Sequence, residues 1–151
     1  MNNSKGAEDW LEDARKYLES TEKRLLAKDW RGSCQDGQLA IETLAKAIIA
    51  CFEEPKWTHK PGEQLEKLLE ENKTEIVKTI GENLFFELEE IGTVADDVAP
   101  WHGWGTYSKI ESDRIISPFK ISSEEASREL VQKVRQSYKI AAFFINKWFE
   151  E

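Results

Sequence analysis

Cys34-Gln35-Asp36-Gly37-Gln38-Leu39-Ala40-Ile41-Glu42-Thr43-Leu44-Ala45-Lys46-Ala47-Ile48-Ile49-Ala50-Cys51-Phe52 is the stretch that decides the fold. It is rich in Ala, Leu and Ile, and from Leu39 to Phe52 its apolar residues face nearly every direction of a helix. A helix that is hydrophobic most of the way round belongs in the middle of a bundle. Gln38, Glu42 and Lys46 recur every four residues within it, one polar stripe on an apolar rod. Spacing alone predicts a solvated edge joined by i,i+4 pairing of Glu42 with Lys46. A polar seam at an inter-subunit surface is the other reading.

The flanking sequence supplies the rest of a bundle. Before the stretch, Trp10, Leu11, Ala14, Tyr17, Leu18, Thr21 and Leu25 keep the rhythm of one buried helical face, predicting a helix over about 6–28. Asp29-Trp30-Arg31-Gly32 reads as a short turn with Ser33 as the N-cap of the second helix, so the two helices must be antiparallel neighbours. Glu53-Glu54-Pro55 closes the second helix, because Pro cannot continue it. A loop with Trp57 and His59 leads to a third helix carrying Leu65, Leu68 and Leu69, with a break near Asn72 and a resumption to Ile80. Gly81 precedes a fourth helix with Leu84, Phe85, Leu88, Ile91, Ala95 and Val98 on one side. Ser122 or Ser123 caps a last helix whose Ala126, Leu130, Val134, Tyr138, Ala141, Ile145 and Trp148 face inward. No strand alternation stands out. The fold expected is all-α, an antiparallel bundle of four to five helices, as one domain over residues 1–151.

Composition narrows the function classes. At 151 residues, with 40% hydrophobic and 33% charged residues, the chain has material for a core and is not disordered in character. No apolar run approaches the roughly 20 residues that span a bilayer. The opening Met1-Asn2-Asn3-Ser4-Lys5-Gly6 lacks an apolar signal region, which predicts a cytoplasmic protein away from membranes. Cys34 and Cys51 lie roughly 25 Å apart along a helix, too far for an intrachain disulfide. Two Cys and two His at these spacings match no zinc pattern, so neither a metal nor a cofactor is expected. A net charge of −8 argues against nonspecific binding to a phosphate backbone. Arg128, Arg135 and Lys139 fall on one side of the last helix and form the basic stripe of the chain.

One long segment, from Ala99 to about Ile121, invites a functional reading by its length. It contains Trp101, His102, Trp104 and Tyr107 among glycines. Flat rings of this kind stack nucleobases, whereas folded back they plug the open end of a bundle. If a ligand binds, the site expected is this loop together with His59 and with Arg114 as phosphate contact. The acidic pairs Glu89-Glu90 and Asp96-Asp97 diverge around a helix and read as a solvated face.

Asp29-Trp30 followed by Gln38-x-Ala40-x-Glu42 and Lys46-Ala47 resembles the second helix of HEPN domains. Trp10-Leu11-x-x-Ala14 is similar to that family's first helix, and His59 before Leu65-x-x-Leu68-Leu69 to its third; Pro118 ahead of Glu125-Ala126 also fits. The resemblance covers most of the chain and implies a helical homodimer associated with nucleotides or RNA. HEPN ribonucleases act without metal through an Arg followed by a His after four to six residues. Here the histidines are His59 and His102, and no Arg lies between Arg31 and Arg114, so that motif is missing. Near the expected position Arg128 is followed by Lys133, a poor general base at neutral pH. Noncatalytic members place an Arg directly before a Tyr ahead of the last helix, but Tyr107 follows Thr106. The resemblance therefore implies no catalytic residues and a binding and assembly module, with a small nucleotidyltransferase partner as in toxin–antitoxin pairs. A ribonuclease with an atypical active site and a nucleotide-binding protein using the aromatic loop are the alternatives.

Overall fold

In the computed structural model the described residues are 3–101, 109–111, 114–116 and 122–150, with backbone alone for the two short middle segments. Six helices are present among them: α1 (Ser4–Leu26), α2 (Trp30–Ile49), α3 (Gly62–Glu71), α4 (Lys73–Ile80), α5 (Glu82–Val98) and α6 (Glu124–Trp148). Two three-residue strands, β1 (Lys109–Glu111) and β2 (Arg114–Ile116), pair antiparallel with Ile110 opposite Ile115. The sequence carries no warning of that hairpin, since three-residue strands are too short for an alternation pattern to register.

α2 is the axis of the bundle. It packs against α1, α3, α5 and α6, and fifteen of its twenty residues are buried. Ile41, Leu44, Ile48 and Ile49 are fully enclosed, as the all-round apolar pattern requires. The α1–α2 corner is tight because Lys28 adopts a left-handed conformation (φ 62°). Asp29, not Ser33, caps α2: its carboxylate accepts from the Gly32 N–H at 3.0 Å. Ser33 lies a turn inside the helix and ties it to α1, its hydroxyl donating to the Thr21 carbonyl at 3.0 Å. Thr21 returns the contact by donating to the Ser33 carbonyl at 2.6 Å. Both groups are buried, and the reciprocal bonds satisfy them.

Elsewhere the helix boundaries follow local chemistry. Asn72 separates α3 from α4, its amide donating to the Leu68 carbonyl at 2.8 Å. Gly81 takes a φ of 88° between α4 and α5, a conformation that costs glycine nothing. Asp96 of α5 accepts from the Gly62 N–H at 2.9 Å and so serves the start of α3 across space. Ser123 caps α6 by accepting from the Ala126 N–H at 3.1 Å. On α6, Leu130, Val134, Ala141 and Ile145 are buried as expected, while Tyr138 and Trp148 are half-buried at the core margin. Phe144 also belongs to the core, stacked against Phe52 with ring centroids 6.3 Å apart. Phe143 remains exposed, as does Phe86 of α5. No helix among the described residues is long and apolar enough to cross a membrane.

Candidate functional site

The polar stripe of α2 is not a solvated edge. Gln38, Glu42 and Lys46 are 0%, 5% and 9% exposed, respectively, within a single chain. Their i,i+4 spacing does make them a ladder: Gln38 Nε2 donates to Glu42 Oε1 at 3.0 Å, and Lys46 Nζ to Glu42 Oε2 at 3.4 Å. What covers them comes from elsewhere in the chain. From α1, Trp10 lies over Lys46, the ammonium 5.7 Å from the ring centroid. From the α2–α3 connection, His59 brings Nδ1 to within 2.9 Å of Glu42 Oε1.

Glu42 is thus the hub of a buried polar cluster. An ionised carboxylate can only accept, so the imidazole carries its hydrogen on Nδ1 in this pair and turns Nε2 away from Glu42. The imidazole is 56% exposed, whereas the Glu42 side chain is 7% exposed. A buried carboxylate that meets an amide, an ammonium and an imidazole is well compensated, which is the condition for tolerating charge in a core. One atom of the ladder is left out: Gln38 Oε1 is buried with no hydrogen-bond partner among the described residues. Turning the amide over would set that oxygen against the Glu42 carboxylate, so the orientation is fixed by the stronger contact.

The connection that carries His59 is irregular yet held at several points. Gln64 of α3 clamps it, donating from Nε2 to the Glu54 carbonyl and accepting the Lys56 N–H, both at 3.0 Å. Thr58 Oγ1 accepts the Lys60 N–H at 3.0 Å, and Pro55 is buried beneath. Between this loop and α1 opens a cavity of about 410 Å³, lined by Trp10, Lys46, Pro55, Trp57, Thr58 and His59 among others. A volume of this size suits one small ligand. A second depression, about 240 Å³ between α3 and α5, is lined by Glu63, Glu66, Glu89 and Asp96. Its carboxylates repel anions, and no group of three potential metal ligands is assembled among the described residues.

The residues singled out from sequence are described only in part. His102, Trp104 and Tyr107 lie outside the described residues, as does the side chain of Arg114. Trp101 is half-buried and packs against the core. His59 is the one member of that set placed in a defined polar cluster. Two of the three residues of the basic stripe on α6 pair with carboxylates. Arg128 pairs with Glu124 at 3.0 Å, and Arg135 reaches Glu22 of α1 at 2.9 Å. Lys139 is exposed beside Lys133, Glu87 and Glu90 in a groove of mixed charge. Glu42, Lys46, Trp10 and Trp57 are not among the site residues to which the sequence points. The available signal was a Glu–Lys pair embedded in a helix whose other faces are all apolar, a setting in which the charges must find buried partners.

Both thiols are inert. Burial pushes the Cys51 thiol up to about 12 and also raises that of Cys34, which contacts the Ser127 hydroxyl at 3.3 Å. Neither supplies a nucleophile to the Glu42 cluster.

Comparison with known families gives one result: the sequence model of the HEPN domain matches residues 7–141. No curated protein and no solved structure matches the chain.

Proposed function

The chain belongs to the HEPN domain family, and we propose that it is a noncatalytic binding and assembly module of that family. The observation that carries this reading is the Glu42 cluster itself: Glu42 joins Gln38, Lys46 and His59 into one polar group beside a cavity. Four arginines among the described residues pair with carboxylates: Arg15 with Glu12, Arg24 with Asp36, Arg128 with Glu124, Arg135 with Glu22. Arg31 lies eleven residues before Glu42 on α2, roughly 16 Å along the axis. The cluster therefore works as the wall of a binding cavity.

Assembly is the second half of the proposal. Phe86 and Phe143 are large apolar side chains left 50% and 45% exposed, and exposed aromatic surface is typical of interfaces. The module forms a homodimer and, by family resemblance, pairs in the cytoplasm with a small nucleotidyltransferase in a toxin–antitoxin-like system. Sedimentation equilibrium at micromolar concentration tests it. The expected mass is twice 17.5 kDa, with a heavier species on addition of the nucleotidyltransferase. A stable 17.5 kDa monomer unaffected by that addition would contradict the proposal.

A ribonuclease with an atypical site is the second reading, favoured by one observation. A histidine oriented by a buried carboxylate through Nδ1 has the arrangement of a general base. The Arg–His spacing of the family's ribonucleases is missing from the sequence, which is why the binding reading stands first.

A further inference from the structure

We infer that the cavity between α1 and the 54–59 loop binds a small flat aromatic molecule bearing one singly charged acid group. The inference rests on the binding-module reading and names the ligand class of that site.

Lys46 supplies the anchor. Its ammonium lines the cavity while the residue as a whole is 9% exposed. Of its three N–H donors one points to Glu42, at 3.4 Å, and no other acceptor meets it among the described residues. Trp10 faces the ammonium with its ring and offers no lone pair. Two donors on a largely buried cation are thus available to a ligand oxygen, and Glu42 on one side with Trp10 on the other keeps the group in place beforehand. Binding to a preorganised donor avoids the ordering cost that a free surface lysine would incur.

Trp57 supplies the second wall. Its residue exposure is 103%, the whole indole in solvent. It stands on a loop clamped by Gln64 and seated on buried Pro55, so the ring is offered from a fixed base. Trp10 lines the same cavity, so the site presents two indoles to a flat ligand.

Charge sets the class of anion. At the cavity the ammonium groups of Lys46 and Lys56 are balanced by the carboxylates of Glu42 and Glu54. The net charge is zero with a neutral His59 and +1 with a protonated one. That balance accommodates a single negative charge placed at Lys46. It does not accommodate the several charges of a nucleoside triphosphate, which would lie against Glu54 without compensation. A flat ring with one carboxylate satisfies the walls, the donors and the charge together.

Isothermal titration of the full chain with 2-naphthoate, its neutral methyl ester and ATP tests the assignment. The expected order is naphthoate tightest, with the ester weaker by about tenfold or more for loss of a charge-assisted hydrogen bond. Trp57→Ala, at a fully exposed position that cannot harm the fold, should weaken naphthoate roughly five- to a hundredfold by loss of stacking. Lys46→Met should abolish the preference for acid over ester. Equal affinity for acid and ester, no effect of Trp57→Ala, or absence of naphthoate binding would each overturn the inference. ATP binding tighter than naphthoate would overturn the ligand class yet leave a binding module, whereas RNA cleavage would overturn the module reading without altering this titration.

Discussion

Replacing Glu42 by Leu removes the hub of the buried cluster at nearly constant volume, and the structure fixes what is stranded. Lys46 keeps its charge at 9% exposure with only the Trp10 ring beside it, and Gln38 Nε2 loses its acceptor. Breaking a buried ion pair by removing one partner costs roughly 3–5 kcal/mol. Two features place this case at the low end. His59 is 56% exposed and can exchange Glu42 for water, and the cavity gives the Lys46 head a path toward solvent. The expected loss is therefore about 3 kcal/mol, a fall in Tm of roughly 6–12 °C for a chain of this size. Adding Lys46→Met removes the stranded charge, and the double variant should regain about 2 kcal/mol, a coupling that only contacting groups display. Thermal and urea unfolding followed by circular dichroism measure both quantities. A Glu42→Leu shift under about 2 °C, the size expected of an exposed ion pair, would refute the burial on which the reasoning depends.

Other consequences follow from the packing and the caps. A Cβ at Gly37 would lie 2.8 Å and 2.9 Å from Leu130 Cδ2 and Cγ, where α2 meets α6. Overpacking of roughly 1–3 kcal/mol should outweigh the ~1 kcal/mol that Ala gains as a helix former, so Gly37→Ala is expected to be net destabilising; a raised Tm would be contrary. Asp29→Ala should cost about 0.5–2 kcal/mol at neutral pH by loss of the α2 cap. The Gly32 N–H, aided by Arg24, holds the Asp29 carboxyl below its ordinary range, so this stabilisation is present above about pH 4 and lost as pH falls further. The gap between wild type and variant should accordingly close in acid, and a gap independent of pH down to full protonation would speak against the cap.

How far the sequence reads through to this structure depends on the distance over which each feature is decided. The burial of α2 is a property of its own composition, so Ile41, Leu44 and Ile48 are legible directly. The Glu42–Lys46 pairing is legible too, because i,i+4 spacing is local. The side to which that pair turns is not, since Trp10 and His59 arrive from thirty-six and seventeen residues away, respectively. Capping shows the same limit at short range. Ser33 has the chemistry of an N-cap, but Asp29 is followed three residues later by Gly32, whose N–H it accepts, and the helix starts earlier. The freed Ser33 then bonds to Thr21 of α1, a contact set by the packing of two helices. On α6 the basic residues are plain in the sequence, while the carboxylate that meets Arg135 comes from Glu22 on another helix. Of the expected aromatic-loop site, Trp101 packs against the core and His59 meets Glu42, seventeen residues away on α2.

The central claim, that this HEPN chain binds and assembles without catalysis, meets its most direct test in labelled single-stranded RNA incubated with the purified protein in the presence of a chelator. Product no greater than in buffer alone is expected, for wild type and for His59→Ala and His102→Ala variants alike. Cleavage by the wild type that disappears in either histidine variant would contradict it.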